Sequence, residues 1–189
     1  LGVGLAGGGF ADSYADMQGG ELIDAQSFFG AGVESSVSLY HVFNPMPKGE
    51  RPDSLSEVPI QFILRNSARG SFYSPNSDTA SDFEVPATVP TYNLRTGLRW
   101  GGHEPELFTD AVEVSGWYEL VVRSRSESYG YDNDLLLEHV SQLYWGRMLF
   151  AHMFSSRSHF EIAVTGGGSF DPDRFTAFRL GGALPIKSQ

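Results

Sequence analysis

The chain contains no cysteine, no long apolar run and few basic residues. The absence of cysteine excludes disulfides and thiolate metal sites. No stretch approaches ~18 consecutive apolar residues, so the sequence contains no candidate transmembrane helix. The 13 lysines and arginines are scattered and stand against 23 acidic residues. The resulting net charge of −10 argues against a nucleic-acid-binding surface.

Glycine and aromatic residues are abundant in the sequence. Its 189 residues include 22 Gly, 14 Phe, 8 Tyr and 3 Trp. This composition suits a β protein with tight turns and closely approaching strands. The length suits a single domain, large enough for a substantial core or a small barrel.

Residues 91–101, TYNLRTGLRWG, alternate between two kinds of side chain. Successive side chains on a strand point to opposite faces, so Arg95 and Arg99 share one face. In a soluble strand the apolar face would meet a protein core and the arginines would meet water. In a transmembrane barrel the apolar face would meet lipid and the arginines would line a polar lumen. The apolar face carries Tyr92, Leu94, Thr96, Leu98 and Trp100.

The same period of two predicts several further strands, and polar or proline-rich stretches predict the loops between them. Residues 135–144 fit a helix or a strand, and both interpretations remain open. With about eight strands, the sequence predicts an all-β, antiparallel fold that forms a barrel or a sandwich. The predicted strands are 1–10, 26–43, 60–72, 91–101, 107–125, 145–154, 159–167 and 176–184. The predicted loops and turns are 11–23, 44–59, 73–90, 102–106, 126–134 and 169–174.

Charged side chains of both signs share one face of consecutive predicted strands. Because adjacent strands lie about 5 Å apart, arginines and glutamates across a pair can form ion pairs. This pattern predicts a charge network in a lumen, with Arg95 and Arg99 directed towards Glu113 and Glu119. The alternative is a solvated sheet face on which such pairs contribute little. The predicted network consists of Arg65, Arg69, Arg95, Arg99, Glu113, Glu119, Arg123 and Arg125.

The opposite face is the predicted lipid-facing surface. Tyr92 and Trp100 are separated by roughly 20 Å along the membrane normal, close to the ~25 Å height of an outer-membrane apolar band. Tyr118 is the third aromatic residue predicted on this face. The other predicted members are Leu94, Leu98, Val112, Val114, Leu120, Phe160, Ile162, Val164, Phe178 and Leu180.

No motif in the sequence predicts an enzyme. The five histidines show no metal-ligand spacing, and no nucleophile-elbow sequence is present. Residues 132–134, DND, lack the glycine and glutamate of a calcium loop and predict a solvated turn. We therefore expect no catalytic residue, no metal and no cofactor. A hydrolase would need a serine beside His103, His152 or His159.

Residues 178–182, FRLGG, lie on a predicted strand and are similar to the F-x-L-G-G segment of the bacterial surface-antigen barrel superfamily. In that family an arginine-glycine-aromatic loop motif follows, whereas residues 183–185 here are ALP, so no translocation or assembly role is carried over. Residues 101–119, GGHEPELFTDAVEVSGWYE, resemble uncharacterised outer-membrane proteins of Gram-negative bacteria. These resemblances imply an up-and-down transmembrane β-barrel in the bacterial outer membrane, with lipid as its partner.

The expected function is that of an outer-membrane barrel with a charged lumen, acting as a passive pore or in a structural or surface role. One alternative is a soluble antiparallel sandwich or lipocalin-like barrel that binds a small ligand. The other is an outer-membrane hydrolase. Many outer-membrane barrels end in an aromatic residue, and residues 185–189, PIKSQ, contain none. This predicts that the chain is a fragment, with further strands after Leu184.

Overall fold

The structure is a computed structural model that describes residues 1–18, 21–43, 58–102, 111–155 and 158–176. These residues form ten strands. The strands are β1 (Gly2–Gln18), β2 (Glu21–Phe43), β3 (Ile60–Pro75), β4 (Phe83–Glu84), β5 (Thr91–Gly102), β6 (Ala111–Arg123), β7 (Glu127–Tyr131), β8 (Leu135–Leu137), β9 (Val140–Ser155) and β10 (Ser158–Phe170). In this part of the chain no helix is long and apolar enough to cross a membrane.

The described strands form one large sheet and one small sheet. The large sheet has seven strands in the order β1-β2-β3-β5-β6-β9-β10, and every neighbouring pair is antiparallel. It curls into a half-barrel. The small sheet has three strands in the order β4-β7-β8, formed by the two long connections β3–β5 and β6–β9. The prediction of an all-β antiparallel fold is confirmed.

Most of the predicted strands are present. Residues 26–43, 60–72 and 91–101 lie within β2, β3 and β5, and residues 159–167 lie within β10. The strand predicted for residues 145–154 is part of β9, and the open stretch 135–144 is divided between β8 and the start of β9. Residues 44–57 of the predicted loop 44–59, residues 103–106 of the predicted turn 102–106 and residues 177–184 of the predicted strand 176–184 lie outside the described residues.

The predicted loop at residues 11–23 is wrong. There β1 continues to Gln18, and β2 begins at Glu21. Asp12 stands opposite Gly30 and Tyr14 stands opposite Phe28, so the antiparallel ladder extends beyond the apolar part of both strands. Backbone hydrogen bonds to β2 hold this segment of β1 in the sheet, and they do not depend on the polarity of its side chains.

Two predicted loops contain short strands that form the small sheet. Phe83–Glu84 lies within the predicted loop 73–90, and Glu127–Tyr131 lies within the predicted loop 126–134. The turn at 132–134 is confirmed: Asp132 and Asn133 have φ angles of 50° and 59°, and the Asp134 amide donates to the Tyr131 carbonyl oxygen at 2.9 Å. Positive φ at both central residues is typical of a tight hairpin turn, which Asp and Asn tolerate.

The two faces of the large sheet differ in burial. We call the more buried face the inner face and the other the outer face. On β6, Glu113, Ser115 and Arg123 are buried on the inner face, whereas Val114 and Tyr118 are exposed on the outer face. Polar side chains are therefore covered while apolar ones are exposed, which reverses the usual arrangement of a soluble protein.

The main apolar cluster closes one end of the inner face, and we call it the aromatic cap. Phe28 of β2 is fully buried in it and stacks on Tyr14 of β1 at 5.4 Å between ring centroids. The small sheet and the turn after β10 bring the remaining side chains to this end. The buried members are Phe28, Phe83, Tyr129 and Leu137, and the partly buried ones include Tyr14, Tyr73 and Phe175.

Candidate functional site

The inner face carries ion pairs that cross from strand to strand. Arg95 of β5 stands opposite Glu119 of β6, and its Nη2 lies 2.8 Å from Glu119 Oε2. The Arg95 Nε also donates to this oxygen, at 3.0 Å. Both side chains are partly buried, so water screens this charge-assisted contact less than it screens a surface pair.

Arg65 of β3 lies directly opposite Arg95 in the ladder. Like charges in this position destabilise a sheet, so each guanidinium needs a carboxylate on its other side. Arg65 Nη2 lies 3.9 Å from Glu34 Oε1 of β2 and donates to Ser36 Oγ at 3.1 Å. The two arginines therefore lie between two glutamates, in the strand order β2, β3, β5 and β6.

Arg99 forms a second pair nearer the other end of β5 and β6. Its Nη2 lies 3.5 Å from Glu113 Oε2, and Ser115 Oγ donates to Glu113 Oε1 at 3.2 Å. The Glu113 side chain is only 7% exposed. A buried carboxylate must be compensated by partners of this kind, because desolvation of an isolated charge is very unfavourable.

Two tryptophans stack between these ion pairs. The rings of Trp117 and Trp145 are nearly parallel, at 18°, with centroids 6.3 Å apart. The Arg95 guanidinium lies 5.3 Å from the Trp145 ring centroid, within the range of a cation–π contact. Gly97 and Gly167 flank the pair in the same row and leave room for the rings.

We expect Gly97→Ala to destabilise the fold by ~1–3 kcal/mol, because it would overpack this row. An added Cβ would clash with the Trp117 ring and would lie 2.6 Å from the Gly116 carbonyl oxygen. The matched control is Gly116→Ala on the outer face, where no atom of the described residues lies within 4 Å of the added Cβ. Denaturant unfolding and the near-ultraviolet circular dichroism of the tryptophans measure the effect. Equal stabilities of the two variants would contradict it.

Three other arginines of the predicted network have different surroundings. Arg69 donates to Ser71 Oγ at 3.0 Å, and its guanidinium lies 3.9 Å above the centroid of the Phe10 ring. Arg123 is turned towards the aromatic cap. Arg125 follows the end of β6, is largely exposed and pairs with Glu127, so it is not part of the inner face.

The Arg123 ion pair anchors the turn that follows β10. Arg123 Nη1 lies 2.6 Å from Asp173 Oδ2 and donates to the Glu138 carbonyl oxygen at 2.7 Å. Asp173 Oδ1 accepts hydrogen bonds from the backbone amides of Phe175 and Thr176, at 2.9 Å and 3.0 Å. The Asp173 side chain is fully buried. This contact holds Phe175 in the cap, 5.5 Å from the Tyr73 ring.

The predicted lipid-facing aromatics lie on the outer face. Tyr92 and Tyr118 are exposed, and their hydroxyls donate to Asn66 and Gln142. Trp100 is half-buried. It stands in register between Ile60 of β3 and Val114 of β6. The exposed members of the predicted set also include Leu98, Val114, Phe160, Ile162 and Val164, whereas Leu94, Val112 and Leu120 are half-buried. Phe178 and Leu180 lie outside the described residues.

The sequence pattern alone does not single out Arg147, Asp173 or the tryptophan pair. Arg147 lies on the inner face of β9, opposite Ser115 and Thr165. Arg147 and Trp145 both lie within the predicted strand 145–154 and on the same face of it, so the alternation along that strand is the signal that could have identified both. Among the described residues no group of three His, Asp or Glu side chains is placed to hold a metal ion. His152 packs edge-on against Phe154.

Comparisons with known proteins give no relatives for this chain. No protein-family model matches it, and no curated protein or solved structure is significantly similar. The antiparallel half-barrel with a charged inner face therefore defines the chain only as an all-β protein.

Proposed function

We propose that the chain is a bacterial outer-membrane β-barrel protein with a structural or surface role. Its outer face contacts lipid, and the charged inner face of its half-barrel sheet lines the interior of the barrel. This function needs no cofactor and no catalytic residue.

The reversed polarity of the two faces carries the proposal. Met148 and Leu98 are 61% and 54% exposed on the outer face, whereas Glu113 and Arg123 are 6% and 5% exposed on the inner face. A soluble protein rarely exposes a contiguous apolar surface of this extent. Lipid would cover the outer face, and the ion pairs of the inner face would satisfy one another inside the barrel.

The arrangement of apolar residues on the outer face also supports lipid contact. One row crosses five strands in direct register, and all its members are apolar. This row consists of Ile60, Trp100, Val114, Met148 and Val164. Tyr92, near the start of β5, and Trp100, near its end, are about 20 Å apart along the membrane normal for a strand tilted by ~40°. Aromatic residues at both edges are typical of transmembrane barrels.

The aromatic cap favours a structural or surface role over an open pore. Phe28, Tyr129 and Leu137 are almost fully buried at one end of the inner face, and the Arg123–Asp173 ion pair fixes the turn beside them. A solute crossing the interior would have to displace these side chains. Long arginine, glutamate and tryptophan side chains also occupy the middle of the inner face.

The soluble alternatives fit the two faces less well. A lipocalin-like barrel would need an apolar interior for a small ligand, yet the inner face carries arginines and glutamates. A sandwich would bury Leu98 and Val114 between two sheets, yet both are exposed in the described part of the chain. These side chains distinguish the membrane hypothesis from both alternatives.

Folding in detergent and in water tests the proposal. We expect the chain to fold in detergent micelles or phospholipid vesicles, and to migrate faster on an unboiled gel than after boiling. Without detergent it should aggregate, because the outer face would meet water. A folded, detergent-free monomer at high concentration would overturn the proposal. A folded detergent-free oligomer would also overturn it, and would indicate that protein covers the outer face.

A further inference from the structure

Arg99 and Arg147 lie on either side of Ser115 in one row of the inner face. Arg99 of β5 stands opposite Ser115 of β6, which in turn stands opposite Arg147 of β9. The two arginine Cα atoms are therefore about 10 Å apart, two strand spacings. Their long side chains can both reach the space above Ser115, particularly because the sheet curls towards this face.

Both guanidinium groups retain an unused hydrogen-bond donor. The Nε atoms of Arg99 and Arg147 are buried and have no hydrogen-bond partner among the described residues. Buried polar groups in folded proteins are nearly always partnered, so these two donors in one row are available to a further acceptor. The matching acceptor for two guanidinium groups is an anion.

The nearby carboxylate does not balance the charge of this row. Glu113 Oε2 lies 3.5 Å from Arg99, and Glu113 Oε1 accepts the hydrogen bond from Ser115. Within the described ranges Arg147 forms no ion pair within 4.0 Å. Arg99, Arg147 and Glu113 together therefore carry two positive charges and one negative charge, in a protein whose net charge is −10.

Apolar side chains flank most of this row. Trp117 and Trp145 lie on one side along β6 and β9, and Leu149, which is 2% exposed, lies on the other side, opposite Glu113. Apolar walls lower the local dielectric constant and strengthen the attraction of an anion to the guanidiniums. Thr165 stands opposite Arg147 on β10 and adds a hydroxyl donor at the edge of the row.

We infer that Arg99, Arg147 and Ser115 form a binding site for a small tetrahedral oxyanion. A guanidinium donates two parallel hydrogen bonds to an oxyanion, and two such groups can contact different oxygens of one phosphate or sulfate. The site faces the space enclosed by the half-barrel. It depends on the geometry of the inner face, so it stands whether lipid or protein covers the outer face.

The test measures binding of inorganic phosphate to the folded full-length chain by isothermal titration calorimetry. Ionic strength is held constant with chloride, because screening alone changes electrostatic binding. We expect saturable binding to one site per chain, weakened at least about tenfold by Arg147→Gln. The matched control is Arg125→Gln, which removes the same charge from an exposed position outside the inner face and should change the affinity by less than about twofold.

Arg147→Lys provides a second test of phosphate binding if the Arg147→Gln variant does not fold. Lysine keeps the positive charge but loses the planar fork, so we expect phosphate binding several-fold weaker than in the unmodified chain. Three outcomes would overturn the inference: no saturable binding of phosphate to the unmodified chain, unchanged affinity in the Arg147 variants, or equal losses in Arg147→Gln and Arg125→Gln. The last outcome would mean that the anion responds only to the overall charge.

Discussion

Replacing Met148 by arginine is expected to destabilise the protein in a lipid bilayer by ~1–3 kcal/mol, between the cost at the centre of the bilayer and the cost near its interface. Met148 lies on the outer face of β9, in register with Val114 on one side and Val164 on the other, and all three are exposed. If this face lies in lipid, the guanidinium must enter the hydrocarbon. In water the same change is an exposed surface substitution, typically within ~0.5 kcal/mol. Urea unfolding of the protein in phospholipid vesicles, followed by tryptophan fluorescence, measures the difference.

The control for this experiment is Ser77→Arg, which adds the same charge at an exposed position in the connection between β3 and β4. We expect this variant to stay within ~0.5 kcal/mol of the unmodified chain. Similar free energies of unfolding for the two variants would show that Met148 is not in the hydrocarbon. Dissociation of a detergent-free oligomer by Met148→Arg would instead indicate that a second copy covers the outer face.

The strands and their faces could be predicted because alternation is a local property of the sequence. In residues 91–101 four of the five side chains on one face are apolar, and β5 presents Tyr92 and Leu98 on the exposed face and Arg95 on the inner face. The ion pair between Arg95 and Glu119 also depends only on register between consecutive strands. A single shift in register would move all these side chains to the opposite face, so the pattern specifies the pairing.

Other features depend on pairing between distant residues, which composition does not encode. Residues 11–23 are polar and look like a loop, yet β2 provides a backbone partner for Asp12 and Asp16. Arg147 lies within the predicted strand 145–154, but only the pairing of β9 with β6 brings it into one row with Ser115 and Arg99. The strands of the small sheet, β4, β7 and β8, are too short to show a recognisable alternation of apolar and polar residues in the sequence.

The aromatic cap could not be predicted because its key residue breaks a general rule. Asp173 lies in a polar segment that predicts a solvated turn, and aspartate is rarely fully buried. It is buried here because Arg123, fifty positions earlier in the chain, reaches the same end of the inner face. Only the three-dimensional arrangement of β6 and β10 brings these two charges together.

Asp173→Asn is expected to destabilise the fold by ~3–5 kcal/mol, since it leaves the Arg123 charge buried without its partner. Asparagine has nearly the same shape and keeps a side-chain oxygen for the amides of Phe175 and Thr176. The loss of stability therefore reports the charge rather than the turn. Denaturant unfolding in detergent micelles measures it, since the cap and the tryptophan pair both contribute to the fluorescence and near-ultraviolet signals.

The exposed ion pair between Arg125 and Glu127 provides the matched control, with a contact of 2.7 Å. Glu127→Gln also removes one carboxylate charge, but water solvates the remaining arginine, so we expect a loss of only ~0–1 kcal/mol. Adding Arg123→Met to Asp173→Asn should recover part of the lost stability, because an apolar side chain carries no unpaired charge. If Asp173→Asn costs no more than Glu127→Gln, the Glu138 carbonyl oxygen alone compensates Arg123, and the ion pair does not hold the cap in place.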